Sequence, residues 1–328
     1  MTKMCAVFGL IDYANHFTAR QREKVLKVLS KECESRGTDA TGFAFNHRHG
    51  MTIYKKPIAA HKMRLHLPQE SGIILGHTRM ATQGDKKDNF NNHPFSGSTG
   101  ATRFALAHNG VLHNDFRLQK QYNLPKTNIE TDSYVAVQLL EQSKALDFAA
   151  LISMAEKVEG SFVFTVLDNA NNSYFVKGDN PLALYHFAHE GFYIYASTAS
   201  ILDSALMRLG LLTSFYTEIP SICGDVLKID HNGKLTTAKF DTSHLHNWDY
   251  GYLGNYPFSY WQENTDSLAV NQLKEFASYL CIEPEHIDLL LEYGYTTDDI
   301  EDMFYTPGEI ECAIDEALCG NAYCGGEW

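Results

Sequence analysis

Cys5 stands four residues from the start of the 328-residue chain and leads into an apolar run, Ala6-Val7-Phe8-Gly9-Leu10-Ile11. A thiol is a weak nucleophile until something takes its proton. Were residues 1–4 absent, the α-amino group of Cys5 would lie beside its own sulfur, with an ordinary pKa of about 7.7–8.0. One residue would then supply nucleophile and base together. Two routes lead there. Translation from Met4 followed by methionine removal exposes Cys5, and so does cleavage of a Met1-Thr2-Lys3-Met4 propeptide. With the four residues retained, the amine is an amide and the base is lost. On position alone the simpler reading of Cys5 is a small hydrophobe on a core strand.

Further along, polar strings fall where strand ends could gather them. They are Arg36-Gly37-Thr38-Asp39 with Gly42, then Gly76-His77-Thr78-Arg79-Met80-Ala81-Thr82-Gln83-Gly84, then Asn92-His93-Pro94-Phe95, His108-Asn109-Gly110 and Thr131-Asp132-Ser133. Each has a bland reading when taken singly. Asn109-Gly110 is a hairpin-turn dipeptide, Asp132 caps a helix, and His77 is a structural hydrogen-bonder.

The elements that must position these groups can be read from periodicity. Residues 5–11 form a buried strand. Thr18 and Gln21 make a capping box that opens a helix to about Glu34, with Val25, Leu26, Leu29 and Cys33 on one face. Strands are expected at 42–46, 52–55, 73–77, 104–108, 162–168, 173–177, 182–187, 192–197, 225–230 and 234–240. Helices are expected at 132–142, 146–158 and 199–209, and a loop from 78 to 99. Antiparallel strands with a few long helices indicate an α+β layered domain, not a βαβ repeat. No dinucleotide fingerprint and no phosphate-binding GxxxxGK[ST] loop occurs.

Composition limits the rest. Seven cysteines in a chain this long point to free thiols. Cys319 and Cys324 have no zinc-knuckle spacing, so no metal and no cofactor is expected. With no membrane-length apolar run and no signal-peptide pattern, a cytoplasmic protein is expected. Residues 1–240 carry a net charge of +4 and residues 241–328 a net charge of -17. That break marks a boundary near 240. The acidic part should repel nucleic acid and anionic membranes, serving as a solvated face or as a dock for a basic partner. Four segments result: 1–4 as propeptide or upstream start, 5–240 as the main domain, 241–262 as an aromatic arm with Trp248, Tyr250, Tyr252, Phe258 and Trp261, and 263–328 as an acidic helical module with helices near 267–280, 284–293 and 297–318.

Five polar strings in order behind a near-terminal Cys5 resemble the class II glutamine amidotransferase domain, over roughly residues 5–240. The resemblance implies the four-layer αββα sandwich of N-terminal-nucleophile hydrolases. It implies glutamine as substrate, hydrolysed through a Cys5 thioester to glutamate and ammonia. Asn109 and the Gly110 N–H would hold the oxyanion. Arg79 would grip the α-carboxylate through its fork, and Asp132 the α-ammonium. Thr82 and His93 match pocket-lining positions, and Arg36 and Asp39 would support the nucleophile's surroundings. Met80 stands where the family usually has Trp or Tyr, Gln83 where it often has His, and Ala40 replaces a common Ser. Family members pass ammonia to a synthase domain. Residues 241–328 are too few for one, so a separate synthase is the expected acceptor. The alternatives are an amidase for other γ-glutamyl bonds and a non-catalytic module that binds glutamine or a partner.

Overall fold

Two antiparallel sheets lie face to face, and the alternation along their strands decides which residues meet between them. The computed structural model describes residues 5–81, 83–100, 102–211, 214–245, 282–303 and 309–320, together with 270, 273–274 and 277. The first sheet has the order β11-β9-β10-β1-β4-β2-β3. Its strands are β1 (Ala6–Ile11), β2 (Ala40–His47), β3 (Gly50–Lys56), β4 (Ile73–Arg79), β9 (Ala183–Phe187), β10 (Phe192–Ala196) and β11 (Thr217–Glu218). The second runs β13-β12-β8-β7-β6-β5. It comprises β5 (Phe95–Thr99), β6 (Thr102–Leu112), β7 (Gly160–Asp168), β8 (Ser173–Lys177), β12 (Asp225–Ile229) and β13 (Leu235–Lys239).

Each outer face is covered by helices. Val25, Leu26 and Leu29 of α1 (Ala19–Glu32) and Ile201, Leu202, Ala205 and Leu206 of α5 (Ala199–Leu209) pack with Phe8, Leu10 and Phe43 of the first sheet. The short α2 (Asp115–Gln121) precedes α3 (Tyr134–Glu141) and α4 (Phe148–Ala155), which pack on Leu106, Phe162, Phe164 and Val166 of the second. Val7, Ile11, Leu75, Ala105, Ala107, Val163 and Phe175 fill the layer between the sheets. This is the αββα sandwich. Period-two alternation assigns odd-numbered residues of β1, β4 and β6 to that inner layer.

The α1 capping box is present in both directions, Thr18 accepting from the Gln21 N–H and Gln21 from the Thr18 N–H. Two expectations are corrected, and one helix was not anticipated. Asn109-Gly110 is not a turn, because β6 runs through it to Leu112 in register with β7, pairing Asn109 with Val163 and Gly110 with Phe162. The loop expected from 78 to 99 is shorter at both ends. The strand β4 continues to Arg79, and Phe95–Thr99 pairs with β6 as an edge strand whose buried-exposed alternation is carried by small residues. The helix α2, with no side-chain cap and a single buried leucine, gave no periodic signal.

Two compact units are distinguished, residues 1–248 and 249–328. In the second, α6 (Pro284–Tyr293), α7 (Thr297–Met303) and α8 (Glu309–Gly320) share a core of Ile287, Leu290, Ile300, Ile310, Ile314 and Ala317. Gly294 ends α6 with φ of 115°. The aromatic arm beyond residue 245 and most of the helix expected at 267–280 lie outside the described residues. Among the described residues no helix is long and apolar enough to cross a membrane.

Candidate active site

Cys5 immediately precedes β1, and the register Ala6–Thr78 and Ala40–Arg79 sets it beside the end of β4. Its inner-layer parity matches that of Arg79 and Asn109, so one end of the space between the sheets collects all three. The Cys5 thiol donates to the Met80 carbonyl at 3.3 Å. Burial pushes the thiol up to about 11; the Met80 contact and the Arg79 and Arg36 guanidiniums oppose that rise, and the Asp132 carboxylate adds to it. A thiol in this state does not ionise by itself near neutral pH, so reaction through its sulfur requires a base.

Arg36 ties the nucleophile candidate to β6. Its Nε donates to the Cys5 carbonyl at 2.9 Å, and a terminal nitrogen reaches Asn109 Oδ1 at 3.5 Å. Gly37 follows for a steric reason, since a Cβ there would strike the Arg79-Met80 backbone. With Oδ1 turned to Arg36, the fully buried Asn109 presents Nδ2, which has no partner. Its own carbonyl is held by Asn180 Nδ2 at 2.9 Å. A buried donor without an acceptor costs about 1–3 kcal/mol, and such a group in a site is the form an anion-stabilising donor takes before charge develops. Gly110 has φ of +145°, and a Cβ there would fall on the Ser161 carbonyl oxygen. Only glycine fits that strand position.

Arg79 is buried and its fork is fixed: one terminal nitrogen donates to Asn92 Oδ1 at 2.8 Å, the other to the Gln83 and Gly84 carbonyls. Asp39 joins the same loop. It accepts from the Ala81 N–H at 3.0 Å and from Lys86 at 2.8 Å. Burial pushes its carboxyl up, and these two donors and the Arg79 charge outweigh that push, leaving it below the usual range. Asp132 is not a cap, because the N-cap of α3 is Ser133 and makes no side-chain cap bond. The Asp132 carboxylate accepts from the Leu112 N–H at 2.6 Å and from Ser133 Oγ at 3.2 Å.

His93 lies behind these groups, its ring tilted against that of His77 with centroids 4.3 Å apart, both of its nitrogens without partners. Burial first, then the neighbouring His77, hold its pKa well below the ordinary histidine value. His77 donates from Nε2 to the His108 carbonyl at 3.0 Å, and burial takes its pKa down to about 3. Thr82 lies outside the described residues. The structure therefore gathers Cys5, Arg36, Asp39, Arg79, Asn109, Gly110 and Asp132 through direct contacts or shared charge, with His93 packed on their inner side.

Sequence reasoning passed over Lys55. Its ammonium donates to the Asn92 carbonyl and sits 5.0 Å over the Phe95 ring, while its carbonyl accepts from Asn89 at 2.9 Å. Burial, with the Arg79 charge adding to it, brings its pKa down to about 8. It clamps the loop that orients Arg79. Its signal was faint, a lysine at inner parity on an edge strand whose neighbour is also lysine. Among the described residues no cluster of three His, Cys, Asp or Glu side chains is placed to hold a metal ion.

Residues 77–204 match a family model described as a glutamine amidotransferase domain. The chain is 33% identical over 187 residues to a glutamine–fructose-6-phosphate aminotransferase (isomerizing) from Bacillus thuringiensis subsp. konkukian, covering 55% of this chain and 30% of that protein. It is 32% identical over 225 residues to the protein of the same name from Staphylococcus aureus strain Mu50, covering 66% and 34%. It thus spans about a third of the length of the curated relatives it matches. Among solved structures, the glutamine phosphoribosylpyrophosphate amidotransferase from B. subtilis, complexed with ADP and GMP, superposes with a TM-score of 0.58 at 20% identity, over 73% of this chain and 50% of that one. That likeness is one of fold, the N-terminal-nucleophile amidotransferase sandwich. The chain carries a class II glutamine amidotransferase domain, the domain of an enzyme family.

Proposed function

We propose that this domain hydrolyses the side-chain amide of glutamine, with Cys5 as nucleophile and its free α-amine as base after residues 1–4 are removed. The observation that carries this reading is the buried Asn109 Nδ2, left without a partner while Arg36 holds both Asn109 Oδ1 and the Cys5 carbonyl. The sulfur attacks the amide carbon, and the thiol proton moves to the amine. The oxyanion is met by Asn109 Nδ2 and the Gly110 N–H. The amine returns the proton to departing ammonia, leaving a Cys5 thioester that water hydrolyses to glutamate. Arg79 takes the α-carboxylate and Asp132 the α-ammonium; Thr82 and His93 line the pocket, and Asp39 and Arg36 brace it. The fixed Arg79 fork supports this assignment, since a pre-oriented guanidinium loses little freedom on binding a carboxylate.

The ammonia passes to an acceptor, which we place on a separate synthase. The excess of negative charge in residues 241–328 favours docking of a basic partner, and loss of the complex on deleting 263–328 tests that part. The central test is a glutaminase assay on a chain beginning at Cys5, with Cys5→Ala beside it. Hydrolysis abolished by the substitution is expected; hydrolysis surviving it removes Cys5 as nucleophile. Turnover of γ-glutamyl peptides in preference to glutamine would replace glutamine as the substrate.

A further inference from the structure

Asp132 is reached by a chain of polar contacts that no step of hydrolysis uses. Ser133 Oγ lies 3.2 Å from Asp132 Oδ1 and 2.8 Å from His108 Nδ1, and His108 Nε2 lies 3.4 Å from the Ser161 carbonyl. All three side chains are buried. Burial, only partly offset by the Asp132 charge, holds the His108 pKa below the ordinary histidine value, so the ring carries one N–H at neutral pH. The hydroxyl likewise carries one proton. Two protons are therefore available for three contacts, and one contact must go without.

The competition can be decided. In one arrangement Nε2–H points at the Ser161 carbonyl, the hydroxyl donates to Nδ1, and Asp132 Oδ1 loses that donor. In the other, Nδ1–H donates to Ser133 and the hydroxyl donates to Asp132. A hydrogen bond to a buried carboxylate is stronger than one between neutral groups, and at 3.4 Å the Ser161 contact is at the limit of a hydrogen bond. The second arrangement wins. It leaves the Asp132 carboxylate held at both oxygens, Oδ2 by the Leu112 N–H and Oδ1 by the hydroxyl. The ring is in turn fixed by stacking on Phe164, with centroids 4.6 Å apart.

We infer that His108 and Ser133 are positioning residues: Nδ1–H of His108 orients the Ser133 hydroxyl, which orients the Asp132 carboxylate toward the ammonium of an α-amino-acid substrate. This rests on the glutamine reading above and adds a determinant of substrate grip. His108 in this role is the Nδ1–H tautomer. Two kinds of measurement test it. The ring-nitrogen NMR shifts of His108 in the full chain are expected to report Nδ1–H at neutral pH; the Nε2–H tautomer overturns the relay. In steady-state assays Ser133→Ala and His108→Leu are expected to raise KM for glutamine by about tenfold or more while kcat stays within about twofold. Ser133→Thr, which keeps the hydroxyl, and His108→Asn, whose amide can donate from the Nδ1 position, are expected to restore KM. A general packing defect would move Tm and kcat together and would not be rescued by the paired substitutions. An active wild type with an unchanged KM in Ser133→Ala overturns the relay alone. A wild type with a free Cys5 amine that leaves glutamine intact overturns the glutamine reading itself.

Discussion

In the proposed reaction the Cys5 thiol must lose a proton that burial holds on it, and Asn109 Nδ2 must gain an acceptor it lacks at rest. Burial pushes the thiol up to about 11, so in the proposed reaction activity near neutrality follows the base and not the sulfur. The rate is therefore expected to rise with pH as the α-amine loses its proton, around its ordinary value of about 8, and to level off well before the thiol would ionise. A pH profile of kcat/KM measures this, and a chain retaining residues 1–4 should lack the limb and the activity. In its proposed oxyanion role, Asn109 is a donor that matters only once charge has formed, so on replacement by Ala kcat is expected to fall by about 10²–10³ with little change in KM. Equal loss in kcat and gain in KM would instead mean that Asn109 binds the ground state. Arg79→Lys should show the reverse split, raising KM, because a single ammonium cannot reproduce a fork already fixed by Asn92, Gln83 and Gly84.

At the scale of elements, the strands that carry the site were legible because their patterns are strong. The buried β1, the α1 capping box and the alternation of β6 up to His108 all follow local rules. The expected stop at Asn109-Gly110 failed because the dipeptide's turn preference is a local property, while nine consecutive pairs between β6 and β7 are tertiary. The glycine is needed there for the Ser161 carbonyl, a neighbour that sequence spacing cannot reveal. Lys55 was missed for the same kind of reason, as its role depends on a loop thirty-seven residues away. One element carries a stability prediction. Arg22 of α1 is fully buried, paired with Asp12 at 2.8 Å and bonded also to Asn15 and the Gln69 carbonyl. Arg22→Ala strands a buried carboxylate and is expected to cost about 3–5 kcal/mol, read as a lower denaturant midpoint. A loss below about 1 kcal/mol would show that the Asp12 contacts to the His16 and Phe17 N–H groups suffice.

At the scale of the molecule, chemistry and charge are divided between the two units. Every proposed site residue, the positioning Ser133 included, lies within residues 5–133, and the three cores of the sandwich draw on residues 6–245. The core of α6–α8 draws on residues 273–317. Each sheet of the sandwich has its own helical cover within the first unit. Residues 5–248 produced alone are thus expected to fold cooperatively and to hydrolyse glutamine with the KM of the full chain. Circular dichroism and a glutaminase assay check this. Failure of the shortened chain to fold would mean that residues 249–328 complete the first unit's core; folding with a raised KM would mean that they shape the glutamine site. Residues 249–328 carry a net charge of -16 and residues 1–248 a net charge of +3, so their removal should move the isoelectric point from acidic to basic while leaving the chemistry in place, which separates what catalyses from what docks.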